Sequence, residues 1–521
     1  MYKKLLVLNP IKIIIIIITC VYCKSPTITN AATANTINKS ASLHTTVIDS
    51  NFINQYCVNK QLNTTIQQEL LQFYKLNNYK SAWVVNDTLT PDAMSYYNLI
   101  QLHRVLLSNS RLQSKSLDSA LILYEKTKNL TAANIPLVDV LLTYTYLITA
   151  PTIYTGYITT PATYKWYIPK PSINYVNLLL TQQRTHNFTH NVPYEQLLLQ
   201  LQYYTTLNSR NILPIIPMQA TSIIIDSNAI QYKLLKQYLY LVQDYKSTDT
   251  TTLGNATLIV ALKSFQTRMG IDTTGLLNKQ TLSQLNIPLT QRINTIKLNL
   301  ERLRWLPTVN NGIVVNIAGF NLKVLGNGKQ VWYTNVIVGR ASKRSVIFTA
   351  NLAQVILNPY WNIPRSIVNN EISGKQRRNR NYLRNNNMEY SNGNIRQKPG
   401  SDNALGAVKF IFPNPYNIYL HDTPTKLLFN KTNRALSHGC IRVYNPIYLA
   451  TYLLQNYTSF NINLIDTVMA TNKETPVPII GTYPVYITYY TTWVTSNGKL
   501  HFASDVYGYD APLAKAIEAI K

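Results

Sequence analysis

The residues of this chain that are best suited to catalysis lie in one short run, where Cys440 follows His438 and Gly439, with His421 upstream. Cysteine attacks as the thiolate, and a nearby imidazole or clustered backbone N–H groups raise the thiolate fraction. A glycine before the cysteine lets the backbone turn tightly, so that its amides can face an incoming carbonyl. The chain has four cysteines, and Cys440 is the one with such neighbours. These residues predict covalent catalysis at a carbonyl group.

The run Ser437-His438-Gly439-Cys440-Ile441-Arg442, with a histidine nineteen residues before the cysteine, resembles the active-site motif of the L,D-transpeptidases, which cross-link peptidoglycan. The likeness extends to residues 419–424 and 434–436. The resemblance implies a two-step acyl transfer without metal or other cofactor. Cys440 would attack the third residue of a donor tetrapeptide stem, and the terminal D-alanine would leave. The side-chain amine of an acceptor diaminopimelate would then take the acyl group, giving a 3→3 cross-link. The resemblance also implies inhibition by β-lactams of the carbapenem type, which acylate the same sulfur.

The catalytic roles follow from the same resemblance. His421 matches the family histidine and is predicted to be the general base. The backbone amides of Gly439 and Cys440 are predicted to form the oxyanion hole, and His438 to help orient the site.

Three further residues are predicted to bind substrate or to support the catalytic groups: Tyr419, Ser437 and Arg442. Tyr419 shares a strand face with His421, whereas the side chain of Asp422 should point to the opposite face. A backbone carbonyl could therefore be the partner of the histidine. Arg442 could either hold a substrate carboxylate or pin the loop.

The whole chain has 521 residues and a formal net charge of +27. This length predicts two to four domains. The charge favours acidic partners such as an anionic wall polymer or anionic lipid, although a solvated basic surface would give the same composition. No basic-aromatic recognition module occurs, so nucleic acid is not an expected partner.

The N-terminal sequence is typical of an export signal. Lys3 and Lys4 precede an apolar stretch that peaks at residues 13–18, and residues 1–24 are interpreted as a signal peptide or membrane anchor. The predicted location is the periplasm, with attachment to the inner membrane if the segment is not cleaved. Removal of this segment would leave Cys57 and Cys440, which could form a disulfide if neither were used in chemistry.

The predicted fold is multidomain α+β. A flexible tether is expected at residues 25–60, and residues 61–247 show helical periodicity, resembling the scaffold of the large Gram-negative L,D-transpeptidases. Residues 248–289 resemble a small helical peptidoglycan-binding repeat through Phe265, Gln266, Gly275 and Thr281. A connecting helix is predicted at residues 290–307.

Residues 308–521 change to a β-rich pattern and are predicted to form the catalytic domain. Within it, the polar and basic segment 359–400 interrupts the strands, and in the family that the chain resembles such an insertion caps the active site. Residues 476–521 are predicted to be a C-terminal β-hairpin tail, and residues 444–457 a helix.

Four alternatives remain open at this stage. Water in place of the acceptor amine would make the protein a carboxypeptidase, and some relatives attach a lipoprotein to the wall. A protein that binds peptidoglycan without catalysis would use the basic charge and the repeat-like module. A zinc site of His421, His438 and Cys440 lacks a fourth ligand at the usual spacing.

Overall fold

The computed structural model describes residues 45–107, 112, 114–188, 190–217, 229–247, 249 and 251–520. The predicted leader, and the predicted tether as far as residue 44, lie outside the described residues. The described part is almost entirely helical up to Trp305 and rich in strands after Gly312. This is the multidomain α+β organisation that the sequence predicts.

The last part of the predicted tether is folded, so that prediction is wrong for residues 45–60. Helix α1 spans Ser50–Asn59, and the Asp49 side chain caps its N-terminus by accepting a backbone N–H bond. Ile53, Tyr56 and Cys57 recur on one face of this helix and are buried. The apolar periodicity of the following helices therefore begins inside the segment that was interpreted as a tether.

The first helices of the scaffold region pack around one apolar helix, Ile135–Thr155. In chain order the further elements of this region are α2 (Thr64–Leu76), β1 (Val84–Val85), β2 (Thr88–Leu89), α3 (Pro91–Leu107), α4 (Lys115–Thr127), α5 (Ile135–Thr155), α6 (Tyr175–Thr185), α7 (Val192–Arg210) and α8 (Ile230–Leu241). Helix α5 is long and apolar enough to cross a membrane, but 72% of its most apolar stretch is buried within the structure. This burial is typical of the core helix of a folded domain.

Two short helices, α9 (Ala256–Arg268) and α10 (Lys279–Leu285), form the repeat-like module. The amide of Gln266 donates to the Thr281 hydroxyl at 2.9 Å and accepts from the Gly275 N–H at 2.7 Å. Gly275 has a φ of +76°, a backbone conformation that is strained for residues with a side chain. The residues that carry the resemblance therefore hold this turn together, and glycan binding by the module stays a prediction.

The predicted connecting helix is α11 (Leu289–Trp305), and it lies in the core rather than at the surface. Its Glu301 is fully buried, where it forms an ion pair with Arg304. The same carboxylate accepts hydrogen bonds from the Ile158 N–H at 2.9 Å and the Trp305 ring N–H at 3.0 Å. This network ties the scaffold region to the helix that leads into the β-rich part.

The β-rich part follows as β3 (Gly312–Asn316), β4 (Asn321–Gly326), β5 (Lys329–Gly339), β6 (Phe348–Asn351), β7 (Gln354–Leu357), β8 (Trp361–Asn362), α12 (Arg365–Ile367), α13 (Ser373–Arg378), α14 (Tyr382–Asn385), β9 (Met388–Ser391), β10 (Asn394–Gln397), β11 (Val408–Ile411), β12 (Leu420–His421), β13 (Ala435–Ser437), β14 (Ile441–Val443), α15 (Pro446–Tyr457), α16 (Ile465–Ala470), β15 (Thr475–Pro478), β16 (Pro484–Thr488), β17 (Thr492–Val494), β18 (Leu500–Phe502) and α17 (Asp510–Ile520). A mixed sheet of 11 strands has the order β15-β7-β11-β12-β14-β5-β4-β3-β16-β6, with β13 paired to β5. His421 and Arg442 lie at its centre, on β12 and β14, and Cys440 is in the loop that leads into β14.

The insertion at residues 359–400 has a core of its own. A segment of π-helix at Val368–Ile372 joins α12 to α13, and the strands β8, β10 and β9 form a small antiparallel sheet. Ile363, Ile372, Leu383 and Ile395 are buried together between these elements. The insertion is therefore a folded subdomain rather than an open basic loop.

The C-terminal tail is more than the predicted hairpin, and that prediction needs correction. Strands β17 and β18 do form a hairpin. However, β15 pairs with β7, and β16 lies between β3 and β6 in the large sheet. The chain then ends in helix α17, whose Asp510 forms an ion pair with Arg302 of α11 at 2.6 Å.

Candidate active site

Three neighbouring strands bring the candidate catalytic side chains to one face of the sheet. Strand β12 runs parallel to β14, with His421 opposite Arg442, and antiparallel to β11, with His421 opposite Lys409. Residues opposite each other in paired strands share a face, and residues two apart on one strand do as well. Tyr419 lies on this side as well, since its ring centre is 5.6 Å from that of His421, and Cys440 directly precedes β14, where the charges of Lys409 and Arg442 act on its thiol.

The imidazole of His421 is held by a backbone carbonyl. Its Nδ1 lies 2.5 Å from the carbonyl oxygen of Asp422, and since a carbonyl only accepts, Nδ1 carries the hydrogen. Burial, together with the charge of Arg442, lowers the pKa of His421 to about 3. The ring is therefore neutral near pH 7, and its Nε2 is the nitrogen that can accept a proton.

Asp422 itself points to the opposite face, as strand alternation predicts. Its carboxylate accepts a hydrogen bond from the Ala407 N–H at 2.9 Å and forms an ion pair with Lys426. The carboxylate therefore does not orient the imidazole through its side chain. The backbone carbonyl, which the sequence left open as an alternative, takes that position.

Cys440 has a free, partly exposed thiol at the end of the loop before β14. Its Sγ lies 3.5 Å from the carbonyl oxygen of Asn417. Burial raises the pKa of the thiol, although hydrogen bonds from the Tyr419 backbone and hydroxyl and the charges of Lys409 and Arg442 lower it. Because the pKa of the thiol is raised and that of His421 is lowered, the thiol and the imidazole are both neutral near pH 7.

The loop before the cysteine is closed by Ser437. Its hydroxyl donates to the Cys440 carbonyl at 2.5 Å and accepts from the Gly439 N–H at 3.1 Å. The amide predicted at Gly439 for the oxyanion hole is thus already engaged, which leaves the Cys440 amide as the better donor of the two. Gly439 has a φ of +123° and is buried, so its contribution is the tight turn.

A second serine, which the sequence did not single out, supports this loop from behind. Ser345 is fully buried, and its hydroxyl donates to the Gly439 carbonyl at 2.6 Å while accepting from the Gly339 N–H at 3.0 Å. Its own N–H donates to the Tyr507 hydroxyl at 3.1 Å. The C-terminal tail therefore reaches the active-site loop through Tyr507, some seventy residues after Cys440.

His438 extends from the loop before β14 and pairs with the insertion. Its side chain is exposed, and Nε2 is 3.0 Å from the carboxylate of Glu371 in the insertion. The insertion also acts on the site through Trp361, which lowers the pKa of Tyr419 against the larger raising effect of burial. His438 therefore connects the loop before β14 to the insertion, and its role in orienting the catalytic groups stays a prediction.

Arg442 and Tyr419 lie beside the catalytic pair as predicted. The Tyr419 ring centre is 5.6 Å from that of His421. Arg442 is half-buried, and its guanidinium makes one long hydrogen bond of 3.4 Å to the Thr425 hydroxyl. Such a weak tether leaves most of its donors available for a substrate, so the geometry favours substrate binding over pinning of the loop.

We predict that Ser345→Ala lowers the turnover number about 10-fold or more, because loss of the hydroxyl frees the Gly439 carbonyl and lets the nucleophile move. A loss of about 1–3 kcal/mol in the free energy of unfolding is also expected from the unpaired buried groups. Ser81→Ala is the matched control, since the buried Ser81 hydroxyl likewise donates to a backbone carbonyl, at 2.7 Å, in the scaffold region. Equal turnover in the two variants, measured at equal folded fraction, would contradict this role.

The raised pKa of Cys440 predicts how the resting thiol reacts with alkylating agents. The rate of iodoacetamide labelling should still be rising when the pH passes about 8.5, the ordinary pKa of a thiol. The reason is that the thiolate, which is the reactive form, accumulates only at higher pH. Labelling of Cys440→Ala, followed by mass spectrometry, gives the background from the other cysteines. A labelling rate that is already constant between pH 6 and 7 would instead indicate a preformed thiolate.

Across the described residues, no three His, Cys, Asp or Glu side chains come together in a way that could hold a metal ion. The alternative zinc site thus finds no support in the arrangement of His421, His438 and Cys440.

Comparison with known proteins adds two domain matches. Residues 310–499 match the model of the L,D-transpeptidase catalytic domain, and residues 68–209 match the model of a scaffold domain. The strands that carry the candidate site lie within the first of these ranges, whereas Tyr507 follows it.

A Haemophilus influenzae protein named "Putative L,D-transpeptidase" is 35% identical over 260 residues, which are 45% of this chain and 53% of that protein. The chain thus spans about half of the length of this relative. Among solved structures, an L,D-transpeptidase from Stackebrandtia nassauensis shares 16% identity over 52% of this chain and 96% of that chain, with a TM-score of 0.24. A structure described as the Ldtfm-avibactam carbamoyl enzyme shares 10% over 34% of this chain and 49% of that chain, with a TM-score of 0.18. TM-scores this low carry no conclusion about activity.

Proposed function

Because residues 310–499 belong to the L,D-transpeptidase catalytic-domain family, we propose that this protein is a cysteine acyltransferase that forms 3→3 cross-links in peptidoglycan. The donor is a tetrapeptide stem that ends in D-alanine, and the acceptor is the side-chain amine of a diaminopimelate in another stem. Cys440 carries the acyl group between them as a thioester. The protein is proposed to act in the periplasm, where these stems are exposed.

The observation that carries this proposal is the arrangement of a free thiol and a neutral, oriented imidazole on one sheet face. His421 presents Nε2 because its Nδ1 is committed to the Asp422 carbonyl. Cys440 is a free, partly exposed residue that directly precedes β14, the strand paired with the one that carries His421. Nucleophilic catalysis requires this combination of an accessible nucleophile and an adjacent base.

In the first step, the thiol proton passes to Nε2 of His421 as Sγ attacks the carbonyl carbon of the third stem residue. The oxyanion that forms is stabilised by the Cys440 amide and by the positive charge of Arg442. Nε2 then returns its proton to the departing nitrogen of D-alanine, and the C–N bond breaks. The products of this step are a thioester on Cys440 and free D-alanine.

In the second step, the acceptor amine attacks the thioester and gives its proton to Nε2 of His421. The C–S bond breaks, the sulfur leaves as a thiolate, and the imidazolium reprotonates it. Each cycle therefore restores the neutral thiol and imidazole pair. A carbapenem would enter at the first step, because its strained carbonyl can acylate the same sulfur.

The same thioester permits other outcomes. Attack by water would release a tripeptide stem, and attack by an amine of a lipoprotein would attach that protein to the wall. Both reactions use the same nucleophile and base, so the acceptor alone decides between them. A protein that binds the wall without catalysis would show none of these products.

The deciding experiment incubates the full chain with purified tetrapeptide-stem muropeptides and identifies the products by mass spectrometry. A cross-linked dimer lacking one alanine supports the proposal. A tripeptide stem alone would replace it with carboxypeptidase activity. Retention of intact wall without any product would favour the non-catalytic alternative.

A further inference from the structure

Two cations flank the candidate base in a single row across the sheet. Lys409 on β11 and Arg442 on β14 stand opposite His421 on either side. All three side chains therefore extend from the same face, toward the space above Cys440 and Tyr419. The charges of Lys409 and Arg442 both act on the thiol and on the imidazole.

Within the described part of the chain, Lys409 has no carboxylate within ion-pair distance. Its Nζ instead lies over the face of Tyr419, 4.1 Å from the ring centre. The nearby Glu474 acts on it through space, but the Glu474 carboxylate is hydrogen-bonded by the Tyr360 N–H at 2.7 Å. By contrast Lys426, the third cation near the imidazole, is neutralised by Asp422.

A half-buried ammonium without an anion is costly, because burial disfavours the charged form. Burial accordingly lowers the pKa of Lys409. A ligand carboxylate placed on this face would supply the missing counter-charge. The ammonium meanwhile lies over the Tyr419 ring, and its charge acts on the Cys440 thiol, which holds the reacting atom.

We propose that Lys409 is a specificity-determining residue that binds a free carboxylate of the acyl donor beside the scissile carbonyl. This inference rests on the proposed function and names its substrate class: donors that keep an ionised carboxyl group close to the bond that is cut. A tetrapeptide stem carries two such groups, the side-chain carboxyl of diaminopimelate and the terminal carboxyl of D-alanine. A donor in which both are amidated lacks the group that Lys409 recognises.

The test measures binding in the Cys440→Ala background of the full chain, where no acyl transfer can obscure affinity. Calorimetric titration compares the tetrapeptide stem with stems amidated at the side-chain carboxyl, at the terminal carboxyl, or at both. Adding Lys409→Met should weaken binding of the unmodified stem about 10-fold or more, as expected for a lost hydrogen bond between charged groups. Lys409→Met should not change the affinity for a stem whose recognised carboxyl is already amidated. The amidated stem that is insensitive to Lys409→Met therefore identifies the carboxyl that Lys409 binds.

Two further variants make the result specific. Lys409→Arg keeps the charge and should recover most of the affinity. Lys323→Met removes another half-buried lysine whose pKa is lowered by burial, on β4, and should leave affinity unchanged. A melting temperature of each variant shows that it is folded.

The inference is overturned if the unmodified and doubly amidated stems bind equally well, or if Lys409→Met weakens both to the same extent. These outcomes are independent of turnover. Failure of the wild-type chain to release alanine from any stem would instead reject the proposed function, while a carboxylate preference that depends on Lys409 would still stand.

Discussion

Replacing Cys440 by alanine is expected to abolish acyl transfer, with a fall in turnover of about 1,000-fold or more. The reason is that the sulfur forms the bond to the acyl group, and Cys57, the other free cysteine among the described residues, is buried in the scaffold region. Muropeptide products and the mass of the intact protein report this directly. The wild type should gain the mass of a tripeptide acyl group or of a carbapenem, and the variant should gain neither.

The fold of this variant should be nearly unchanged, because Cys440 is partly exposed and alanine can adopt its backbone conformation. Cys57→Ala is the matched control. Cys57 is also a free cysteine, but it is buried in α1 among scaffold residues. Cys57→Ala should keep turnover at equal folded fraction, whereas an acyl adduct on Cys57, or turnover by Cys440→Ala within tenfold of wild type, would reject Cys440 as the nucleophile.

The sequence was most informative where chemistry depends on neighbours along the chain. Strand alternation placed Tyr419 with His421 and turned Asp422 away, and both are found. Asparagine and glycine are also typical of tight turns, and Asn327 and Gly328 join β4 to β5 with positive φ values. Such features depend on a few consecutive residues, so one sequence suffices to predict them.

Contacts that depend on the register between paired strands could not be predicted from the sequence. Lys409 comes next to His421 only because β11 pairs with β12 in one register, and a shift by one residue would turn it to the other face. Ser345 and Tyr507 lie far from Cys440 along the chain, and no local pattern marks them. Their positions follow from the closure of the whole sheet.

The backbone groups that act in the site could not be predicted from the sequence, for a different reason. The carbonyl that orients His421 and the Gly439 amide that Ser437 engages belong to no particular side chain. Every residue carries such groups, so the residue types cannot say which of them is free. The sequence therefore did not show that the Gly439 amide donates to Ser437, and it left the partner of the histidine open.

Replacing His421 by alanine is expected to lower the rate of thioester formation by a factor of about 100 or more, the usual contribution of a positioned general base. The thiol of Cys440 is protonated at rest because burial raises its pKa, so attack requires that a base remove the proton. With the pKa of His421 lowered to about 3, the imidazole is available for this over the whole neutral range. Stopped-flow mass spectrometry of acylation by a carbapenem would measure this step alone.

His438→Ala separates this role from a general effect of removing a histidine. Because His438 contacts Glu371 of the insertion, its loss should reduce acylation less than about tenfold and mainly through substrate binding. The pH dependence gives a second signature. Wild-type acylation should not fall as pH drops through 6.5, the ordinary histidine value, because the imidazole stays neutral until far lower pH. A larger loss in His438→Ala than in His421→Ala, or an acid limb near pH 6.5, would mean that another group takes the proton.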